Sequence, residues 1–63
     1  DKNCELIHKT LTDNNGFIPL TDKSSPEAIS AQFGISKKAF KKSIGSLYKE
    51  RKITIEKDGI KLI

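Results

Sequence analysis

The chain has 63 residues, 35% of them hydrophobic and 32% charged, with a net charge of +4. A chain this short closes one modest core, so a single domain over residues 1–63 is expected, with no deep catalytic pocket and no enzyme activity. The excess of base over acid favours an anionic partner, although composition by itself does not separate binding from solubility.

Asn3 is placed to cap a first helix that runs to about Asn14, with Cys4, Ile7 and Leu11 recurring at helical spacing on one face. Asn14-Asn15-Gly16 stops it. Phe17-Ile18-Pro19-Leu20 reads as a short extended segment, and Pro19, lacking an N–H, confines it to a sheet edge. Thr21 to Ser24 is a polar loop.

Ser25 then caps a second helix, with Pro26 in its first turn and Glu27 complementing the helix dipole. Ala28, Ile29 and Phe33 form its apolar side, and Gly34 ends it. After Ile35, Ser36 caps a third helix expected from about Lys37 to Lys52. Two helices separated by about three residues, one of them glycine, form a helix-turn-helix.

The tail alternates twice, as Ile53-Thr54-Ile55-Glu56-Lys57 and Ile60-Lys61-Leu62-Ile63, around Asp58-Gly59. A type I′ turn at Asp58-Gly59 pairs Ile55 with Leu62, sets Ile53 and Ile60 on the same face, and places Glu56 opposite Lys61. The predicted fold is therefore α+β: a small winged helix, with a three-helix core containing a helix-turn-helix, a short strand and a C-terminal β-hairpin.

The charge is unevenly distributed. Residues 1–35 set Lys2, Lys9 and Lys23 against Asp1, Glu5, Asp13, Asp22 and Glu27, a net of −2. Residues 36–52 set Lys37, Lys38, Lys41, Lys42, Lys49, Arg51 and Lys52 against Glu50 alone, a net of +6. Lys57 and Lys61 balance Glu56 and Asp58 in the hairpin.

On a helical wheel, Phe40, Ile44, Leu47 and Tyr48 make the buried stripe of the third helix, with Arg51 falling on the same side. Lys38, Lys42 and Lys49 oppose it, Gly45 lies between them, and Lys41 and Lys52 flank them. Lysines in a first helical turn oppose the dipole by roughly 0.3–1 kcal/mol each. Phosphate binding is the simplest reason to carry that cost. A solvated stripe kept for solubility is the bland alternative.

The helix has no Asn or Gln and only Arg51, whereas major-groove reading uses Arg for guanine and Asn or Gln for adenine. Lysine is a flexible point charge suited to phosphates. With a minimal wing carrying Asp58, low sequence selectivity is expected.

Other chemistry lacks its parts. Cys4 and His8 make half a metal site with no further His or Cys to complete it, so no metal or cofactor is expected. No Gly-x-Ser-x-Gly elbow accompanies the serines and His8, so there are no catalytic candidates. The glycines form no phosphate-cradling loop, and no small-molecule substrate is implied. Phe17, Phe33 and Phe40 are read as core, and Tyr48, at the edge of its stripe, is a secondary candidate for stacking on a base. A single cysteine excludes an internal disulfide, and no stretch has the length and apolarity of a membrane span or signal peptide. A reducing cytoplasm fits best, with no membrane partner. The start at Asp1 is read as that of a fragment from a longer multidomain protein.

Several strings carry a resemblance. Gly16-Phe17-Ile18-Pro19-Leu20, Asp22-Lys23-Ser24-Ser25-Pro26-Glu27, Phe33-Gly34-Ile35-Ser36-Lys37-Lys38-Ala39-Phe40-Lys41-Lys42 and Gly45-Ser46-Leu47-Tyr48-Lys49 resemble the C-terminal domain of the conserved virulence factor B family. That resemblance implies a winged helix that follows tandem OB-type RNA-binding domains in a bacterial cytoplasmic protein affecting gene expression and virulence. It supplies no residue list for this domain. The combined expectation is an RNA- or nucleic-acid-binding module that contacts phosphates through Lys37, Lys38, Lys41, Lys42 and Lys49. Its partners would be nucleic acid and the OB-type domains of the parent chain. A docking domain without nucleic-acid contact is the leading alternative, and sequence-specific DNA binding as a dimer is a third.

Overall fold

The computed structural model describes residues 2–63. Three helices, α1 (Lys2–Asp13), α2 (Pro26–Phe33) and α3 (Lys37–Lys49), pack with three strands, β1 (Phe17–Ile18), β2 (Ile53–Ile55) and β3 (Ile60–Leu62). The strands form one antiparallel sheet in the order β1-β3-β2, so β1 is an edge strand, as Pro19 requires. This is the α+β winged-helix order.

Each helix boundary has a local cause. α1 already includes Asn3 within its span, so Asn3 does not act as its cap. It stops where Asn15 and Gly16 turn to φ of 59° and 82° and the Gly16 N–H reaches back to the Leu11 carbonyl at 2.7 Å. α2 starts where the Ala28 N–H donates to the Ser25 hydroxyl at 3.1 Å and ends at left-handed Gly34. α3 starts the same way, with the Ala39 N–H donating to the Ser36 hydroxyl at 3.1 Å.

The end of α3 differs from expectation. The helix stops at Lys49 rather than Lys52, and Arg51 adopts φ of 59°. The Lys52 N–H donates to the Leu47 carbonyl and the Arg51 N–H to the Tyr48 carbonyl, both at 3.0 Å, which closes a Schellman motif. Arg51 is therefore an exposed residue of the terminus, not part of an apolar side.

Ile7 and Leu11 of α1, Ile29 and Phe33 of α2, and Phe40, Ile44 and Leu47 of α3 meet Ile18, Ile53 and Ile60 of the sheet in one core. Cys4, Leu20, Ile35 and Leu62 pack around it. The rings of Phe33 and Phe40 stack with centroids 5.4 Å apart, tying the two helices of the helix-turn-helix together. The Cys4 thiol reaches the Ser43 carbonyl at 3.6 Å, linking α1 to α3.

Four residues read as apolar-side or core residues lie outside. Ala28 is exposed, Phe17 and Ile55 are each 39% exposed, and Tyr48 is 56% exposed. Ser43, a polar residue outside the expected stripe, is buried on the side of α3 that meets Cys4 of α1.

The hairpin register is also different. Ile53 pairs with Leu62, Thr54 with Lys61 and Ile55 with Ile60, two residues away from the expected pairing. Glu56 thus does not oppose Lys61, and its N–H instead donates to the Gly59 carbonyl at 2.7 Å. Neither Asp58 nor Gly59 has a positive φ, so no type I′ turn forms. Gly59 is needed for contact rather than for turning. A Cβ there would meet the Ile18 carbonyl oxygen, Phe17 Cζ at 2.7 Å and Pro19 Cα at 2.9 Å.

Candidate nucleic-acid interface

The buried stripe of α3 fixes where its lysines go. With Phe40, Ser43, Ile44 and Leu47 turned inward, helical geometry directs Lys38, Lys42 and Lys49 to the opposite side, with Gly45 among them. Lys41 lies on one flank beside Lys37 and Tyr48. Lys38, Lys41, Lys42 and Lys49 are exposed, and Lys37 is half-buried. All five sequence candidates thus share one continuous side of one helix.

That side is electrostatically uncompensated. Among the described residues, the one ion pair joins Lys52 to Glu50 at 3.3 Å, with both side chains more than half exposed. None of the five lysines touches a carboxylate of the described residues. Lys52 stands apart from them, beyond the helix end and beside an acid. The first turn of α3 holds no acidic residue, so Lys37 and Lys38 add to the positive end of the dipole. An anion arriving there meets like-signed contributions from the side chains and the helix terminus.

The spacing suits a polyanion. Lys38 and Lys49 stand eleven positions apart, about 16 Å along the axis, or the rise of about five stacked nucleotides. A small anion would use one or two of these lysines; a strand of phosphates can use several.

The remaining surfaces offer less. Cys4 and His8 line a shallow concavity of about 320 Å³ with Glu5, Lys9, Leu47, Glu50 and Lys52, where opposite charges mix. No group of three or more His, Cys, Asp or Glu among the described residues is arranged to hold a metal ion. No helix among them is long and apolar enough to cross a membrane. The exposure of Tyr48 was only partly legible in the sequence, from its position at the stripe edge, and the burial of Ser43 on the other edge was not legible at all.

Known proteins share this fold. The chain is 47% identical over 62 residues to Conserved virulence factor B of Staphylococcus saprophyticus and 45% identical to that of Staphylococcus aureus. These matches cover 98% of this chain and 21% of each relative, so the chain spans about a fifth of the length of the curated relatives it matches. A crystal structure from Streptococcus pneumoniae, described as a multidomain protein with nucleic acid binding domains, superposes with a TM-score of 0.97 at 46% identity, over 100% of this chain and 22% of that one. The family model described as CvfB-like winged helix domain matches residues 5–62, nearly every residue of the fold described above, and the chain belongs to that family.

Proposed function

We propose that this winged helix is a non-enzymatic module that binds nucleic acid, with RNA rather than DNA as its partner in the cell, through phosphate contacts from Lys37, Lys38, Lys41, Lys42 and Lys49. The observation that carries this reading is the row of uncompensated lysines on the solvent side of one helix. The nucleic acid binding domains described for the pneumococcal protein support the partner class. The name of the virulence factor B relatives supports a link to virulence. A bacterial cytoplasmic regulator of gene expression, with OB-type domains in the same parent chain, is what the sequence resemblance further implies.

Low sequence specificity follows from the chemistry of the face. Base edges are distinguished by bidentate Arg, Asn or Gln, and α3 offers none of these. The hairpin turn presents Lys57 next to Asp58, so it adds little net attraction for phosphate.

Charge reversal tests the reading. Lys38, Lys42 and Lys49 point away from the core, so their joint replacement by Glu should leave the circular dichroism spectrum near wild type. Binding to RNA at physiological salt should be lost. Replacing Lys57 and Lys61, off the helix face, should matter far less. If the triple variant binds as wild type does, the face is a solvated surface and the domain is one that docks onto protein neighbours.

A further inference from the structure

Two features of α3 are left over once the lysines are assigned to phosphates. Tyr48 is a large aromatic side chain that stands 56% exposed at the end of the helix. Gly45 lies three residues before it, in mid-helix, where glycine weakens a helix. A Cβ built on Gly45 meets nothing within 4 Å, so no packing within the chain demands the missing side chain.

Their placement is specific. Residues three apart are neighbours on a helix surface, so the bare backbone at Gly45 borders Tyr48. Lys38, Lys41 and Lys42 lie one to two turns before this spot, and Lys49 lies one turn after it. The result is an open shelf with an aromatic wall, set between cations at both ends. A phosphate ligand alone needs neither the shelf nor the ring. A nucleotide with its base unstacked can use both: its phosphates meet the lysines, its sugar approaches the helix at Gly45, and its base lies on Tyr48.

We infer that Tyr48 stacks on an unpaired base over Gly45, making α3 a reader of single-stranded nucleic acid rather than of duplex. In a duplex the bases are already stacked and paired, and Tyr48 gains nothing. The inference rests on the lysine-face reading and adds a substrate class to it. Because every base has a stacking face, the contact selects strandedness without selecting sequence.

The chain contains one tyrosine and no tryptophan, so its intrinsic fluorescence reports on Tyr48 alone. The test titrates the 63-residue chain with a dodecamer of oligouridylate, an abasic dodecamer with the same phosphates, and an RNA duplex of equal length. Oligouridylate should quench the tyrosine emission. The abasic strand and the duplex should bind, as followed by anisotropy of a label on the nucleic acid, without quenching. Tyr48→Ala should weaken oligouridylate binding by about 5- to 100-fold, in line with one lost base stack, and leave the abasic strand within about twofold. Tyr48→Phe should restore it. Gly45→Gln fills the shelf while favouring the helix, and should remove the quenching by oligouridylate. If saturating oligouridylate leaves the emission unchanged, or Tyr48→Ala binds it as wild type does, the stacking assignment is wrong although the lysine reading stands. If neither dodecamer binds at low salt, both fail together.

Discussion

Gly45 and Gly59 show how one residue type answers two different demands. Gly45 faces open space, so replacing it with Ala removes a backbone freedom that the helix must otherwise restrict. Gly45→Ala should stabilise the fold by roughly 0.5–1 kcal/mol, which for a domain of this size raises the melting temperature by about 4–8 °C per kcal/mol. Gly59 is buried, and an added methyl there would run into the backbone of β1 and the ring of Phe17. The β1 backbone cannot rotate aside as a flexible side chain would, so Gly59→Ala should cost about 1–3 kcal/mol. Thermal melts of the two variants should move in opposite directions; a neutral Gly59→Ala would show that β1 yields easily. The sequence pointed to Gly59 as special but for the wrong reason. Asp-Gly is a strong local turn signal, whereas a close approach between residues some forty positions apart leaves no local trace.

At the scale of elements, periodicity located the helices and strands well and their ends less well. Ser25 and Ser36 cap where expected because the caps are local chemistry, a hydroxyl within reach of an N–H three residues on. The third helix was expected to continue to Lys52 because no glycine or proline follows Lys49 to stop it. Arg51 stops it instead, in a left-handed conformation that side chains other than glycine resist. The hairpin register was misplaced by two residues, an even number, so every isoleucine stayed on its expected face. That is why the core composition was legible although the pairing was not. Arg51 gives the prediction for this scale. Its side chain is exposed and joins no ion pair among the described residues, so Arg51→Gly removes strain without removing an ionic contact. The variant should gain up to about 1 kcal/mol, since the relief of roughly 1–2 kcal/mol is partly offset by the greater freedom of glycine in the unfolded chain. Chemical denaturation with an unchanged slope and a higher midpoint would confirm it; a lower midpoint would mean that the Arg51 side chain holds the terminus in a way the static contacts do not reveal.

The whole molecule is electrically lopsided. The acidic balance of residues 1–35 and the neutral hairpin leave the positive charge of residues 36–52 concentrated on and just beyond one helix. This asymmetry was fully legible in the sequence, because charge needs only residue identity and the helix needs only periodicity. On the proposed reading its consequence is orientation: a strand of phosphates would be drawn to α3 and gain nothing from the opposite side. If three to five phosphates are neutralised there, counterion release gives a slope of roughly −2 to −4 for log affinity against log salt on single strands. The reversal of Lys38, Lys42 and Lys49 should flatten that slope as well as weaken binding. Among single strands of unrelated sequence, RNA or DNA, affinities should agree within about tenfold, far below the 10³ or more typical of specific readers. Such a panel, measured at several salt concentrations, separates the two sources of affinity. The phosphate contribution falls with salt equally for every strand, while stacking on Tyr48 persists at high salt and depends only weakly on the base. One sequence favoured a thousandfold over its scrambled versions would mean that α3 reads base edges, for which its lysines have the wrong geometry.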